Sequence, residues 1–183
     1  MKDRILALII LSLLSPFVLI LLTLTYFVFR CNPVFTQQRT VSGKRIFTFI
    51  KIRSMLKSAP NVPTGDFKNA HSYITPWGRF LRTSSLDELL NLICILKGDM
   101  KFIGPRPIML SETELLNSRI KSNINDIPGI TGLAQINGRD NITQSRKVAC
   151  ERYYRRNAKS IKLNVFIVIQ TFVVVLSKRG ISH

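Results

Sequence analysis

The stretch MKDRILALIILSLLSPFVLILLTLTYFVFR, residues 1–30, decides how the rest of the chain can fold. From Ile5 to Phe29 it is almost wholly apolar, and no charged side chain lies between Arg4 and Arg30. It is too long for the apolar region of a signal peptide, and no small-residue cleavage site follows it. A single spanning helix is the simplest reading, because about 20 apolar residues cross a bilayer core. Ser15-Pro16, near the middle, points elsewhere. Proline inside a helix removes a backbone hydrogen bond and clashes with the preceding turn. Broken there, each arm is about a dozen residues, roughly 18 Å at 1.5 Å per residue, which falls short of a core of about 30 Å. Both flanks are basic, with Lys2 and Arg4 before and Arg30 after, and basic flanks favour the cytoplasmic face. The expectation is a re-entrant helix-break-helix anchor over residues 1–32 that enters and leaves by one face. A single domain on the cytoplasmic face is expected over residues 33–183.

Working outward, the chain carries 27 Lys and Arg against 10 Asp and Glu, a net charge of +17. Such a surplus predicts an anionic partner: nucleic acid, anionic lipid headgroups or a phosphorylated small molecule. Cys31, Cys94 and Cys150 are odd in number and widely spaced. They support neither a disulfide framework nor a structural zinc site, and reduced, cytosol-facing chemistry fits them.

The elements beyond the anchor read as α+β, mostly helical. Val34–Gln38 and Arg45–Ile50 alternate around a turn at Ser42-Gly43, which predicts a short β-hairpin. Residues 57–69 form a loop. A short helix is expected over Trp77–Leu81, and a longer one over Leu86–Lys97 that stops at Gly98. Pro105 and Pro107 force an extended segment. Ser111-x-x-Glu114 reads as a capping box opening a helix to about Lys121. Pro128–Gly132 is expected to be a tight turn, with a short strand over Leu133–Asn137. A very basic helix follows over Thr143–Asn157. Ile161–Leu176, apolar and ending at Lys178-Arg179, is a candidate helix lying in the membrane interface.

Against this basic background, the adjacent acids Asp87 and Glu88 stand out. Ser85-x-x-Glu88 is itself a capping box, and acids in a first turn suit the helix dipole. Capping and chemistry are compatible, however. A helix N-terminus binds phosphate, and an ionised Asp there can act as a nucleophile toward a phosphoryl group. Arg106, between Pro105 and Pro107, is held on a stiff strap, and its planar fork suits phosphate. Arg139 ends Asn137-Gly138-Arg139, where glycines permit close approach to a ligand. Asp99 follows Gly98 and could orient a metal or a sugar, and Arg82 precedes the acids by about one turn. Arg106 can equally be a solvated arginine in an extended connector, Arg139 and Asp99 are also ordinary turn residues by type, and Arg82 could serve to offset the charge of the acids. No Walker-type loop, G-x-G-x-x-G, G-x-S-x-G or H-E-x-x-H is present. The basic helix could offer a nucleic-acid face, but the anchor favours a membrane surface for it.

Taken in order, these segments resemble the small monotopic phosphoglycosyl transferases, the bacterial sugar transferase family. The resemblance runs from Asp3 and Ser15-Pro16 through Val34-Phe35-x-Gln37-Gln38-Arg39 and Lys51-Ile52-Arg53-Ser54-Met55. It continues through Gly78-x-x-Leu81-Arg82-x-x-Ser85-Leu86-Asp87-Glu88-Leu89, Leu96–Met100, Ile103–Pro107 and Pro128–Arg139. It implies a re-entrant helix broken at Ser-Pro and a catalytic domain on the cytoplasmic face of the bacterial inner membrane. It also implies a two-step transfer. Asp87 attacks the β-phosphate of a UDP-sugar, releases UMP and forms a phosphosugar ester, and a polyprenyl phosphate then takes the phosphosugar. Glu88 would assist with metal or proton removal, Arg106 would hold phosphate, and Arg139 and Arg82 would bind substrate. Mg²⁺, held by Asp87 and Glu88, is the implied cofactor. The donor, the lipid acceptor and the bilayer are the implied partners, with no nucleic acid and with a homodimer left open. The chain departs from the usual Asp at Glu151 and Asn164, and is expected to be the minimal form without a multi-helix N-terminal extension. The competing function is a non-enzymatic, membrane-anchored basic module that binds anionic lipid or nucleic acid.

Overall fold

In the computed structural model, which describes residues 1–62, 70–138 and 142–177, Pro16 does not interrupt the N-terminal helix. Helix α1 runs unbroken over Lys2–Phe29 with Pro16 inside it. The expected break at Ser15 and Pro16 is therefore corrected, and the reason is local. Proline leaves the carbonyl four residues earlier, that of Ser12, without its amide donor. The Ser15 hydroxyl donates to the Ser12 carbonyl oxygen instead, at 2.8 Å. The helix ends at Arg30 in the left-handed region, φ 51°, whose amide closes onto Tyr26 O. Among the described residues, α1 is the helix whose length and composition would let it cross a membrane.

The chain divides into two compact units. Among the described residues, the first comprises Met1–Gln37 and Thr48–Gly98, and the second Gln38–Phe47 and the segments between Asp99 and Ser177. The predicted hairpin is present as β1, Val34–Thr40, and β2, Ile46–Ile52. Its turn carries Gly43 at φ +76°, and the Gly43 amide donates to Thr40 Oγ1. The Thr40 hydroxyl in turn donates to Arg45 O at 2.8 Å.

In the first unit, α2 (Pro76–Thr83) begins at Thr75, whose hydroxyl accepts from Gly78 N. Gly78 packs so closely on Ser54 O that a Cβ would run into it. The expected helix over Leu86–Lys97 divides into a 3₁₀ turn, Leu86–Glu88, and α3, Asn91–Lys97. Ser85 sits in the left-handed region at φ 56° and does not cap with its side chain. The core joins Leu14, Val18, Leu21 and Leu22 of α1 to Ile52, Leu81 and Leu90. Polar contacts tie both ends of α1 to the same unit. Arg4 Nη2 donates to Lys97 O at 3.3 Å, and Trp77 Nε1 donates to Thr25 Oγ1 at 3.0 Å. The opposite face of α1 leaves Leu13, Leu19, Ile20 and Phe27 exposed.

In the second unit, β3 (Lys101–Ile103) pairs in parallel with β4 (Gly129–Thr131), Lys101 opposite Gly129 and Ile103 opposite Thr131. The tight turn expected at Pro128–Gly132 is thus mostly a strand, and the strand expected at Leu133–Asn137 is a helical turn, α5, Leu133–Ile136. The glycines decide this. Backbones approach so closely that a Cβ on Gly129 or Gly132 would meet Gly104, so only glycine lets the pair form. Helix α4 covers Thr113–Lys121, α6 Gln144–Asn157 and α7 Ile161–Leu176. The last two follow the predicted spans closely. Val41, Ile108, Leu115, Ile124 and Val148 form this unit's core.

Candidate active site

The acids come first. β2 alternates, so Phe47, Phe49 and Lys51 share one face. Phe49 is buried, and the Lys51 ammonium lies 5.3 Å from its ring centre. Lys51 Nζ also lies 2.8 Å from Glu88 Oε1 and 3.5 Å from Asp87 Oδ2, both in the 3₁₀ turn. Asp87 is 5% exposed. A nearly buried carboxylate is tolerated only with a partner, and Lys51 supplies one. Glu88 thus reaches Lys51 instead of closing a capping box on Ser85. Tight 3₁₀ geometry, entered through the left-handed Ser85, is what turns two consecutive acids toward one cation. In the sequence Lys51 stands out only as part of the Lys51–Met55 motif. The signal that could have marked it is its place on the buried, aromatic face of a strand.

Arg82 lies near the end of α2 in the same unit and donates to Met55 Sδ at 3.6 Å. The structure therefore places Asp87, Glu88 and Lys51 in mutual contact, and Arg82 on the helix that precedes them.

Asp99 and Arg106 belong to the second unit. Asp99 accepts from Arg45 Nη2 at 2.8 Å. Arg45 lines a pocket of about 190 Å³ with Ser42, Lys44, Phe47, Asn125 and Asp126. Arg106 is braced from below. Its carbonyl oxygen accepts from Arg119 Nη2 at 2.9 Å. Arg119 is 1% exposed and grips Glu151 with both arms, Nε to Oε2 at 2.9 Å and Nη2 to Oε1. It also reaches Val41 O. Burial pushes the Glu151 carboxyl up from its ordinary range, and the Arg119 charge opposes that shift. Nothing in residue type or spacing distinguishes Arg119 in the sequence from the other basic residues.

The two departures from the family pattern have structural roles. Glu151 is the acid that neutralises Arg119. Asn164 accepts from the Tyr154 hydroxyl at 3.2 Å and donates to Ala158 O at 2.9 Å, tying α6 to α7. Arg139 lies outside the described residues, as does part of the 57–69 loop. No cluster of three or more metal-ligating side chains occurs among the described residues.

Residues 1–178 match the family described as "Bacterial sugar transferase". The exopolysaccharide production protein ExoY of Sinorhizobium fredii is 30% identical over 97% of this chain and 85% of its own length. The galactosyl transferase CpsE of Streptococcus agalactiae is 38% identical over 80% of this chain. The undecaprenyl-phosphate galactose phosphotransferase of Salmonella typhimurium is 33% identical over 80% of it. The chain spans only 35% and 34% of the latter two. With a family match over nearly its whole length and the ordered motifs in place, the chain belongs to the bacterial sugar transferase family.

Proposed function

We propose that this chain transfers a phosphosugar from a UDP-sugar to a polyprenyl phosphate through an ester on Asp87, releasing UMP. The observation that carries the reading is the buried Asp87 carboxylate, paired with Glu88 around Lys51. Relatives named as an undecaprenyl-phosphate galactose phosphotransferase and a UDP-glucose:undecaprenyl-phosphate glucose-1-phosphate transferase support it. In the first step an Asp87 oxygen bonds to the β-phosphorus. The bond from that phosphorus to the bridging oxygen breaks, and its electron pair leaves with UMP. In the second step an acceptor phosphate oxygen bonds to the same phosphorus and the Asp87 carboxylate leaves. Splitting one displacement into two lowers each barrier.

Lys51 holds the carboxylate in place and carries positive charge to where phosphate charge must be met. As a point charge on a flexible stem it can follow the ligand. Arg106, on its braced strap, and Arg82 are the proposed phosphate and substrate contacts, with Asp99 and Arg139 as further candidates. Two adjacent carboxylates also suit Mg²⁺, which takes one or two carboxylates plus substrate phosphates and keeps several waters. Asp87 and Glu88 would hold it, and when bound it would neutralise charge on the diphosphate.

Helix α1, although unbroken at Pro16, is proposed to be re-entrant by bending there without unwinding, so that both its ends and the catalytic residues stay on the cytoplasmic face of the inner membrane. The supporting observation is that residues near both its ends, Arg4 and Thr25, contact the same unit. At 1.5 Å per residue those contacts are about 30 Å apart along the helix, a full bilayer core. A spanning helix would carry one of them to the opposite face. Cysteines placed at each end, labelled from outside intact cells, test this. Labelling of the N-terminal position from outside alone would refute re-entrance.

The reaction is tested by intact-protein mass after incubation with Mg²⁺ and a panel of UDP-sugars, without acceptor. A gain of one phosphosugar, absent in Asp87→Asn, is expected. Equal adduct in that variant would remove Asp87 as the nucleophile.

A further inference from the structure

We propose that the arginine-lined hollow between α4 and α6 is a headgroup site for an anionic phospholipid of the bilayer. Arg152, Arg155 and Arg156 stand at i, i+3 and i+4 on one face of α6, and they line a hollow of about 430 Å³ with Ser122 and Asn123 at the end of α4. Like charges at that spacing oppose one another. Arg155 is engaged: Nη1 donates to Asn123 O, and Nε lies 3.7 Å from Asp126 Oδ2. The side chains of Arg152 and Arg156 make no hydrogen bond or ion pair with any other described residue. Two uncompensated guanidinium groups facing one concavity, with a serine hydroxyl at its edge, suit an oxyanion. Their planar forks match phosphate oxygens two at a time.

The neighbouring helix says which phosphate. Only three residues separate α6 from α7, and while Ile167 of α7 is buried, much of the helix is apolar and exposed, with Ile161 at 78%, Phe172 at 66% and Leu176 at 81%. A helix of that kind lies at the boundary of headgroups and acyl chains. Lys159 and Lys162 flank the junction. The phosphates found beside such a helix belong to lipids, and basic residues next to an apolar helix select anionic ones. A soluble phosphate or a nucleic acid would have no use for the apolar neighbour. The inference does not depend on the proposed reaction.

The test is native mass spectrometry of the full chain in detergent, with equal amounts of phosphatidylglycerol and phosphatidylcholine of identical acyl chains. Wild type is expected to prefer phosphatidylglycerol. Two arginines at a charged leaflet are together worth about thirty-fold, so Arg152→Gln/Arg156→Gln should lose most of the preference. Arg146→Gln/Lys101→Gln removes the same charge outside the hollow and should keep it. Should the glutamine pair fail to fold, Arg152→Lys/Arg156→Lys keeps the charge and loses the forks, and a several-fold loss is expected. An unchanged preference in the variant that folds, or an equal loss in the control pair, would overturn the site. Displacement of the lipid by millimolar inorganic phosphate or by a short oligonucleotide would overturn its assignment to lipid.

Discussion

Two clusters of charge, one in each unit, are built in opposite ways. In the second unit, Arg119 closes both arms of a fork on Glu151, and both side chains are sealed from water. In the first unit, one ammonium is shared by two consecutive carboxylates at 2.8 and 3.5 Å. The sealed pair is matched in shape, and its remaining donors are used on Arg106 O and Val41 O. It is a brace. The shared cluster is not matched: a rotating ammonium serves two acids and can be redirected when another cation or a phosphate arrives. Both clusters satisfy the demand that buried charge be paired, yet it is the loosely matched one that fits the reaction proposed for this chain.

The comparison is broken most severely at Asp87. Asp87→Asn keeps shape and removes the proposed nucleophile, so transfer should fall by about ten-thousand-fold or more while the melting temperature hardly moves. A steady-state assay of UMP release beside a thermal melt checks both halves. Arg119→Met should do the reverse. It strands a buried acid, and breaking such a pair costs about 3–5 kcal/mol. Denaturant titration should show that loss, and Arg119→Met/Glu151→Leu should recover most of it. A double variant no more stable than the single would mean that Arg119 acts mainly through the backbone carbonyls it holds.

Lys51→Met sharpens the contrast. If Lys51 stabilises phosphoryl charge as proposed, its removal should lower the rate by about a hundred-fold, and Lys51→Arg should restore only part of it, since a fork does not fit two separate carboxylates. Full activity in Lys51→Met would reduce Lys51 to a packing residue.

Glu151 supplies a pH test. Its folded carboxyl is raised by burial, so folding takes up a proton, and this residue's contribution to stability is greatest at acid pH. That contribution declines as pH rises from about 4.5 toward the raised value. The stability difference between wild type and Glu151→Gln should therefore shrink as pH increases over that window, and a difference that grows would reverse the assigned shift. The smallest effect is expected at Ser15→Ala. Losing the hydroxyl that serves the Ser12 carbonyl should cost about 1 kcal/mol, read as a slightly lower melting temperature with unchanged turnover.

The sequence by itself determined the elements whose signal is periodic or repeated over many residues. The apolar run of α1, the alternation around Gly43, and the spans of α6 and α7 were all legible, because each is set by local pattern. The order of short motifs was enough to point to the family and to the Asp87-Glu88 pair. Tertiary structure decided what depends on a partner distant in the chain. Pro16 was read as a break, since its missing hydrogen bond is visible in the sequence and its rescue by Ser15 is not. Gly129–Thr131 was read as a turn, since glycines signal turns locally while the close parallel neighbour that needs them lies some 28 residues earlier, across the 101↔129 register. Lys51 and Arg119 were two basic residues among 27. Only the fold set one between two acids and buried the other against Glu151, because the energy of a charge depends on what surrounds it and how far water is excluded.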